Sequence, residues 1–242
     1  MKKLVYNIFH FFVKLFYPKT KIVGSENLPT DAGIIVANHT QMNGPIIGIL
    51  YYPRKRSIWC NHEMMELKEV PDYAFNDFWI NKPKSVRWFF RGLSYVIAPL
   101  AVCIFNTADT IAVYRDKRIV KTINDSIEAL NSGKDVIIFP ESQVEHNNIV
   151  CEFQTGFVDV ARRYNKKTGK ELYFTPMYIA PALKTAYIGK PVQYNSENKA
   201  ADEKIRICDY LMDEITGMAR SLPQHRVVPY SNIPKDQYPL NK

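Results

Sequence analysis

Three short pieces of this sequence carry side chains that handle protons and anions: Asn38 with His39, Arg115, and the run from Phe139 to Ser142. An imidazole titrates close to neutral pH and can take a proton from a hydroxyl held within hydrogen-bond reach. A guanidinium presents a rigid fork of donors that matches a phosphate. Glu141 can accept hydrogen bonds from substrate hydroxyls. Each group also has an ordinary structural use. A histidine in a strand-end loop bonds its neighbours, an arginine enters a surface ion pair, and a glutamate caps a turn. The elements that carry these residues decide between the two kinds of use.

Ile34, Ile35, Val36 and Ala37 read as a short buried strand, and Pro45 as the first turn of a helix through Ile46, Ile47, Ile49 and Leu50. Asn38 and His39 therefore fall where a strand gives way to a loop and a helix start, the side of an open α/β sheet on which ligands gather. Further on, TIAVYR (110–115) reads as a strand. A helix carrying Ile119, Val120, Ile123, Ile127 and Leu130 on one face follows and stops at Gly133, and DVIIFP (135–140) is a second buried strand. This is a β-α-β unit. If its strands are parallel neighbours, Arg115 and the Phe139–Ser142 corner leave the sheet on one edge, where His39 can also lie. RSIWC (56–60), LYFTPMYIA and the two halves of AYIGKPVQY supply further strands. NHEMMELKE reads as a short helical segment, 155–164 as a helix, and 200–220 as an amphipathic helix with Ile205, Leu211, Met212, Ile215 and Met218 inward. The fold expected is α/β, a single mixed and largely parallel sheet flanked by helices, preceded by an apolar amphipathic helix. In domain terms this is a membrane-surface helix over 1–20, one α/β domain over 21–222 and an extended tail over 223–242.

Composition narrows the partners. The chain has 242 residues, 46% hydrophobic and 23% charged, with a net charge of +8, so it is globular and attracted to something anionic. Its four cysteines are scattered with no metal-ligand spacing, and the position four residues after His62 is Glu66 where a zinc helix needs a second histidine, so no metal site is expected. Basic residues do not gather with interleaved aromatics, which argues against nucleic acid. In residues 1–17, Leu4, Ile8, Phe11, Phe12, Leu15 and Phe16 recur at helical spacing among basic residues. That pattern suits an interfacial helix on a phospholipid surface better than one packed on the domain. Residues 86–105 are also strongly apolar, but the charge-free part is short and contains Pro99. They form a buried helical hairpin, a surface dipping into lipid or, less readily, a membrane span.

The order NH…R…FPE in these settings resembles the glycerophospholipid acyltransferase superfamily. The likeness covers about Lys21 to Val192 and includes GSENLP, YRD, SGKDVIIFPES, the FQTG turn at 153–156, TPMYIAP and IGKPV. It implies an O-acyltransferase of the lysophospholipid type at the cytoplasmic face of a membrane, peripheral or monotopic. His39 would be the general base, and a hydroxyl of a lysolipid acceptor would attack a fatty acyl thioester on acyl-CoA or acyl carrier protein, with no bound cofactor. Asn38, Arg115, Phe139, Pro140, Glu141 and Ser142 would hold the acceptor. Two departures stand out. The acid expected five residues after the histidine is Gly44, with Asn43 the nearest polar substitute, and FPEGTR has become FPESQV, placing Val144 where a phosphate-binding arginine is expected. Either Asn43, a backbone carbonyl or a distant carboxylate orients His39, or the chain is a weak or inactive lipid-binding relative. An acid restored at position 44 should raise turnover if its absence limits the rate, unless the loop requires glycine backbone angles.

Overall fold

Apolar runs alternating with amphipathic segments give α1 (Lys2–Phe16), β1 (Lys21–Val23), β2 (Ile34–Ala37), α2 (Asn43–Leu50), β3 (Arg56–Asn61), α3 (Val70–Ala74), α4 (Arg87–Phe105), β4 (Thr110–Val113), α5 (Ile119–Asn131), β5 (Asp135–Ile138), β6 (Glu141–Glu145), β7 (Cys151–Phe153), α6 (Asp159–Thr168), β8 (Tyr173–Ala180), β9 (Thr185–Ile188), β10 (Val192–Gln193) and α7 (Ala200–Ser221). The computed structural model describes residues 2–242; Met1 and the side chain of Lys2 lie outside the described residues. Two compact units result, one formed by Met1–Tyr17 and Trp59–Thr122, the other by Pro18–Ile58 and Ile123–Lys242.

The larger unit is built on a sheet in the order β1-β9-β8-β2-β5-β3, with β10 also on β8. β2 is parallel to both β5 and β8, and β3 is parallel to β5, whereas β9 and β10 run antiparallel to β8. This mixed, mostly parallel sheet explains the unbroken apolar strands, because parallel strands are covered on both faces. Ile34, Ile35, Val36, Val136, Ile137 and Phe174 are fully enclosed. Each such side chain contributes roughly 1.5–3 kcal/mol by leaving water. The start of β5 is fixed by Asp135, buried and paired with Arg54 Nε at 3.2 Å, which also accepts from the Gly33 N–H and the Tyr52 hydroxyl. That leaves the opposite end of the parallel strands for chemistry.

Three expectations are corrected in this unit. Ile205 is exposed on α7, and the enclosed positions on that helix include Ile207 and Cys208 in its place. The segment after Phe139 continues as β6, which turns back through β7. The tail from Pro223 does not extend away but folds back on itself. Arg226 bridges Leu240, Val227 N–H donates to the Pro239 carbonyl, and the buried Asn241 side chain accepts from His225 N–H and donates to the Ala219 carbonyl. His225 Nδ1 donates to the Pro223 carbonyl at 2.7 Å, so its Nε2 accepts from the Tyr178 hydroxyl at 2.8 Å. This anchored return, residues 223–242, is called the strap below.

In the smaller unit α1 and α3 pack on α4. Arg87–Phe105 form one helix with Pro99 inside it, preceded by a 3-10 turn over Lys84–Val86, rather than a buried hairpin, and only Ser94 and Ala98 are buried along the helix. The segment Lys84–Phe105 is long and apolar enough to cross a membrane by length and composition. Phe16 is 79% exposed on α1 and Trp88 75% on α4, with Leu4, Phe11, Leu15, Phe89 and Val96 also outside.

Candidate active site

Asn38 is the first residue past β2, and both ends of its amide are engaged by β8. Its Oδ1 accepts from Ile179 N–H at 2.7 Å and its Nδ2 donates to the Ile179 carbonyl at 3.0 Å. This buried pair extends the β2–β8 contact by one residue and fixes the point from which the chain leaves the sheet. His39 follows. Thr40 and Gln41 then adopt φ of 47° and 55°. Two successive non-glycine residues in the left-handed region, one of them β-branched, hold of order 1–3 kcal/mol of strain each. Such strain persists only where surrounding contacts impose it. Here Gln41 Nε2 donates to the Ser231 carbonyl and to the Tyr238 hydroxyl of the strap. The turn closes with Asn43 and Gly44, whose N–H groups donate to the carbonyls of Thr40 and His39 at 3.1 Å each.

The imidazole of His39 makes edge-to-face contacts with two aromatic rings. Phe139 is 5.3 Å away between centroids and Tyr230 of the strap 5.5 Å. Its Nδ1 is buried and has no hydrogen-bond partner among the described residues. Asn43 turns its side-chain amide to the Thr40 carbonyl at 3.0 Å, and no bond joins it to the ring. Burial lowers the His39 pKa from 6.5, partly offset by the main chain of Gln41 and of His39 itself. At neutral pH the ring is therefore uncharged.

The carboxylate of Glu141 sits beneath this loop. Oε1 accepts from the His39 main-chain N–H at 2.6 Å, and Oε2 accepts from Cys151 N–H at 2.9 Å. It is buried, and no cation is paired with it among the described residues. Desolvation raises its pKa, against the pull of those two N–H groups. Gln154 closes the β6–β7 turn by donating its N–H to the Pro140 carbonyl at 2.9 Å. Ser142 Oγ accepts from Val144 N–H, and the Val144 side chain points away from cover, 62% exposed. The Cys151 thiol is pushed up to about 11 by burial and then by Glu141, so it is protonated at neutral pH and no thiolate nucleophile stands beside His39.

The structure thus brings together Asn38, His39, Phe139, Pro140 and Glu141 at the ends of β2 and β5, with Ser142 next along β6. Arg115 belongs to the smaller unit, where it follows β4 and is exposed. Arg118 takes the ion pair with Asp116 at 2.9 Å and lies over the Tyr114 ring, so Arg115 carries no hydrogen bond or ion pair among the described residues. Tyr230 is absent from the residues expected to form the site. It is distant in sequence and carries no motif, so local pattern offers no sign of it.

The Gly44 departure has a steric reason. A Cβ there would stand 2.3 Å from the His39 carbonyl oxygen and 2.9 Å from Phe139 Cε1. The tight turn and the Phe139 ring occupy the room an acid at that position needs.

Against known proteins, the family model described as Acyltransferase matches residues 19–182. Among solved structures the chain is similar to the 1-acyl-sn-glycerophosphate (LPA) acyltransferase PlsC from Thermotoga maritima. The identity is 17% and the TM-score 0.46, over 91% of this chain and 79% of that chain. No curated protein matches this sequence.

Proposed function

This chain belongs to the acyltransferase family, and we propose that it moves a fatty acyl group from a thioester, acyl-CoA or acyl carrier protein, to the hydroxyl of a lysophospholipid or related glycerolipid. The observation that carries the reading is the uncharged His39 imidazole, held at the end of β2 on a loop anchored by Glu141. In the proposed step Nε2 takes the proton of the acceptor hydroxyl as its oxygen attacks the thioester carbonyl. The C–S bond then breaks, and the imidazolium returns its proton to the departing thiolate, leaving an ester and a free thiol. Glu141 acts by fixing the His39 main chain. Arg115, unpaired and exposed, is the residue proposed to meet the acceptor phosphate. The apolar faces of α1 and α4 would rest on the cytoplasmic face of a phospholipid membrane, where a lysolipid acceptor resides.

A second reading has its own support. Nδ1 of His39 lacks the orienting hydrogen bond that a general base ordinarily has, which favours a catalytically weak or inactive lipid-binding relative. Labelled acyl-CoA or acyl carrier protein, incubated with purified protein and a panel of lysolipids, separates the two. The enzyme reading requires transfer that His39→Ala abolishes and that Arg115→Ala reduces more for phosphorylated than for neutral acceptors. No transfer above the His39→Ala control leaves the binding reading.

A further inference from the structure

We propose that Tyr230 is a positioning residue for His39, and that an aromatic clamp of Tyr230 and Phe139 holds the imidazole in the orientation that a hydrogen-bonded acid at Nδ1 would otherwise set. The inference rests on His39 being the general base. Four observations lead to it. The ring nitrogen that such an acid would bind is buried and unbonded. Both rings meet the imidazole edge-to-face, at interplanar angles of 64° and 83°. Aromatic pairs prefer that arrangement, and it resists rotation of the ring between them. A side chain at position 44 would meet the His39 carbonyl oxygen first, at 2.3 Å, and then the Phe139 ring at 2.9 Å, so the turn that carries His39 leaves no room for an acid there and one ring of the clamp adds to the crowding.

The fourth observation concerns how Tyr230 is delivered. The strap lies beyond the residues the family model matches. It is fixed at its root by Asn241 and by the Tyr178–His225 pair. It reaches back to the catalytic loop through Ser231 and Tyr238, both bonded to Gln41. Those bonds seize the strained residue two positions after His39, so strap and loop are set as one body. Titratable and charged groups on the elements packed against the ring are Glu141 at the corner after β5 and His225, Arg226, Tyr230, Lys235, Asp236, Tyr238 and Lys242 of the strap; α2 carries none.

Histidine-labelled full-length protein allows the His39 imidazole to be titrated by NMR, with His39→Ala to assign it, beside kcat and KM measured over pH with a lysolipid acceptor. Tyr230→Phe keeps the ring and should stay nearer the parent than Tyr230→Leu in both. Tyr230→Leu and Tyr230→Ala should let the His39 titration move up toward that of a free imidazole and lower kcat about tenfold, with KM for the acyl donor within about twofold. Tyr230→Leu preserves apolar bulk and serves if Tyr230→Ala fails to fold by circular dichroism. A Leu variant with the parental titration and kcat overturns the clamp, as does a Phe variant that behaves like Leu. A titration that moves while the rate does not upholds the clamp and removes His39 as general base.

Discussion

Glu141 accepts a hydrogen bond from the main-chain N–H of His39 at 2.6 Å and leaves the imidazole alone. The glutamate of the Phe-Pro-Glu corner thus holds the backbone that presents the imidazole. Its second oxygen, on Cys151 N–H, ties the same carboxylate to β7. One buried side chain therefore couples the exit of β2 to the β6–β7 hairpin, and the base inherits the rigidity of both.

Glu141→Gln keeps the volume but leaves one oxygen for two N–H donors, at a cost of about 1–3 kcal/mol. The pH dependence has a defined sign. Because burial raises the folded pKa above 4.5, folding binds a proton at this site, and the contribution is fully present below the unfolded value. It is lost as pH rises through the folded value. Urea denaturation of parent and variant should show a stability gap that widens as pH falls. A gap that narrows instead would mean that the two N–H bonds outweigh desolvation.

Gly44→Asp should not raise turnover, contrary to the expectation from sequence. Its Cβ would meet the His39 carbonyl at 2.3 Å, backbone that cannot step aside without moving the base. Overpacking of this kind costs typically about 1–3 kcal/mol. A lower denaturation midpoint with reduced transfer is the expected result, and Gly44→Ala should share it. Turnover above the parent in Gly44→Asp would show that the loop yields and that the acid was limiting after all.

Removing residues 1–17 should shift the protein from anionic vesicles to the supernatant in a co-sedimentation assay, since α1 leaves Leu4, Phe11, Phe12, Leu15 and Phe16 outside. Unchanged partitioning would assign vesicle binding to the exposed Trp88, Phe89 and Val96 of α4.

Much of this framework is legible in sequence, and for physical reasons. β2, β5 and β8 are buried on both faces, so their composition alone marks them as strands, and the residues just past two of them are His39 and the Phe139–Glu141 corner. β6 escapes notice because Gln143, Val144 and Glu145 are exposed and its pairing to β7 is irregular. The strap is illegible for a different reason. Gln41 and Tyr238 are 197 positions apart, and nothing in PYSNIPKDQYPL signals that its tyrosines return to the site. The turn at Thr40 and Gln41 is likewise opaque, because neither residue type favours the left-handed region. The place of His39 at the end of β2 could be anticipated; what holds it could not.

If His39 acts as a neutral base at working pH, its ionisation must govern the acidic limb of kcat/KM. That limb reports the essential base of the free enzyme. Burial places it below 6.5, so activity should persist as pH falls past that value and then drop through a single ionisation coinciding with the NMR titration of His39. His39→Ala should lose about 10²–10⁴ in rate together with that limb. An acidic limb that survives in His39→Ala, or one that departs from the measured His39 titration, would mean that another group is the base.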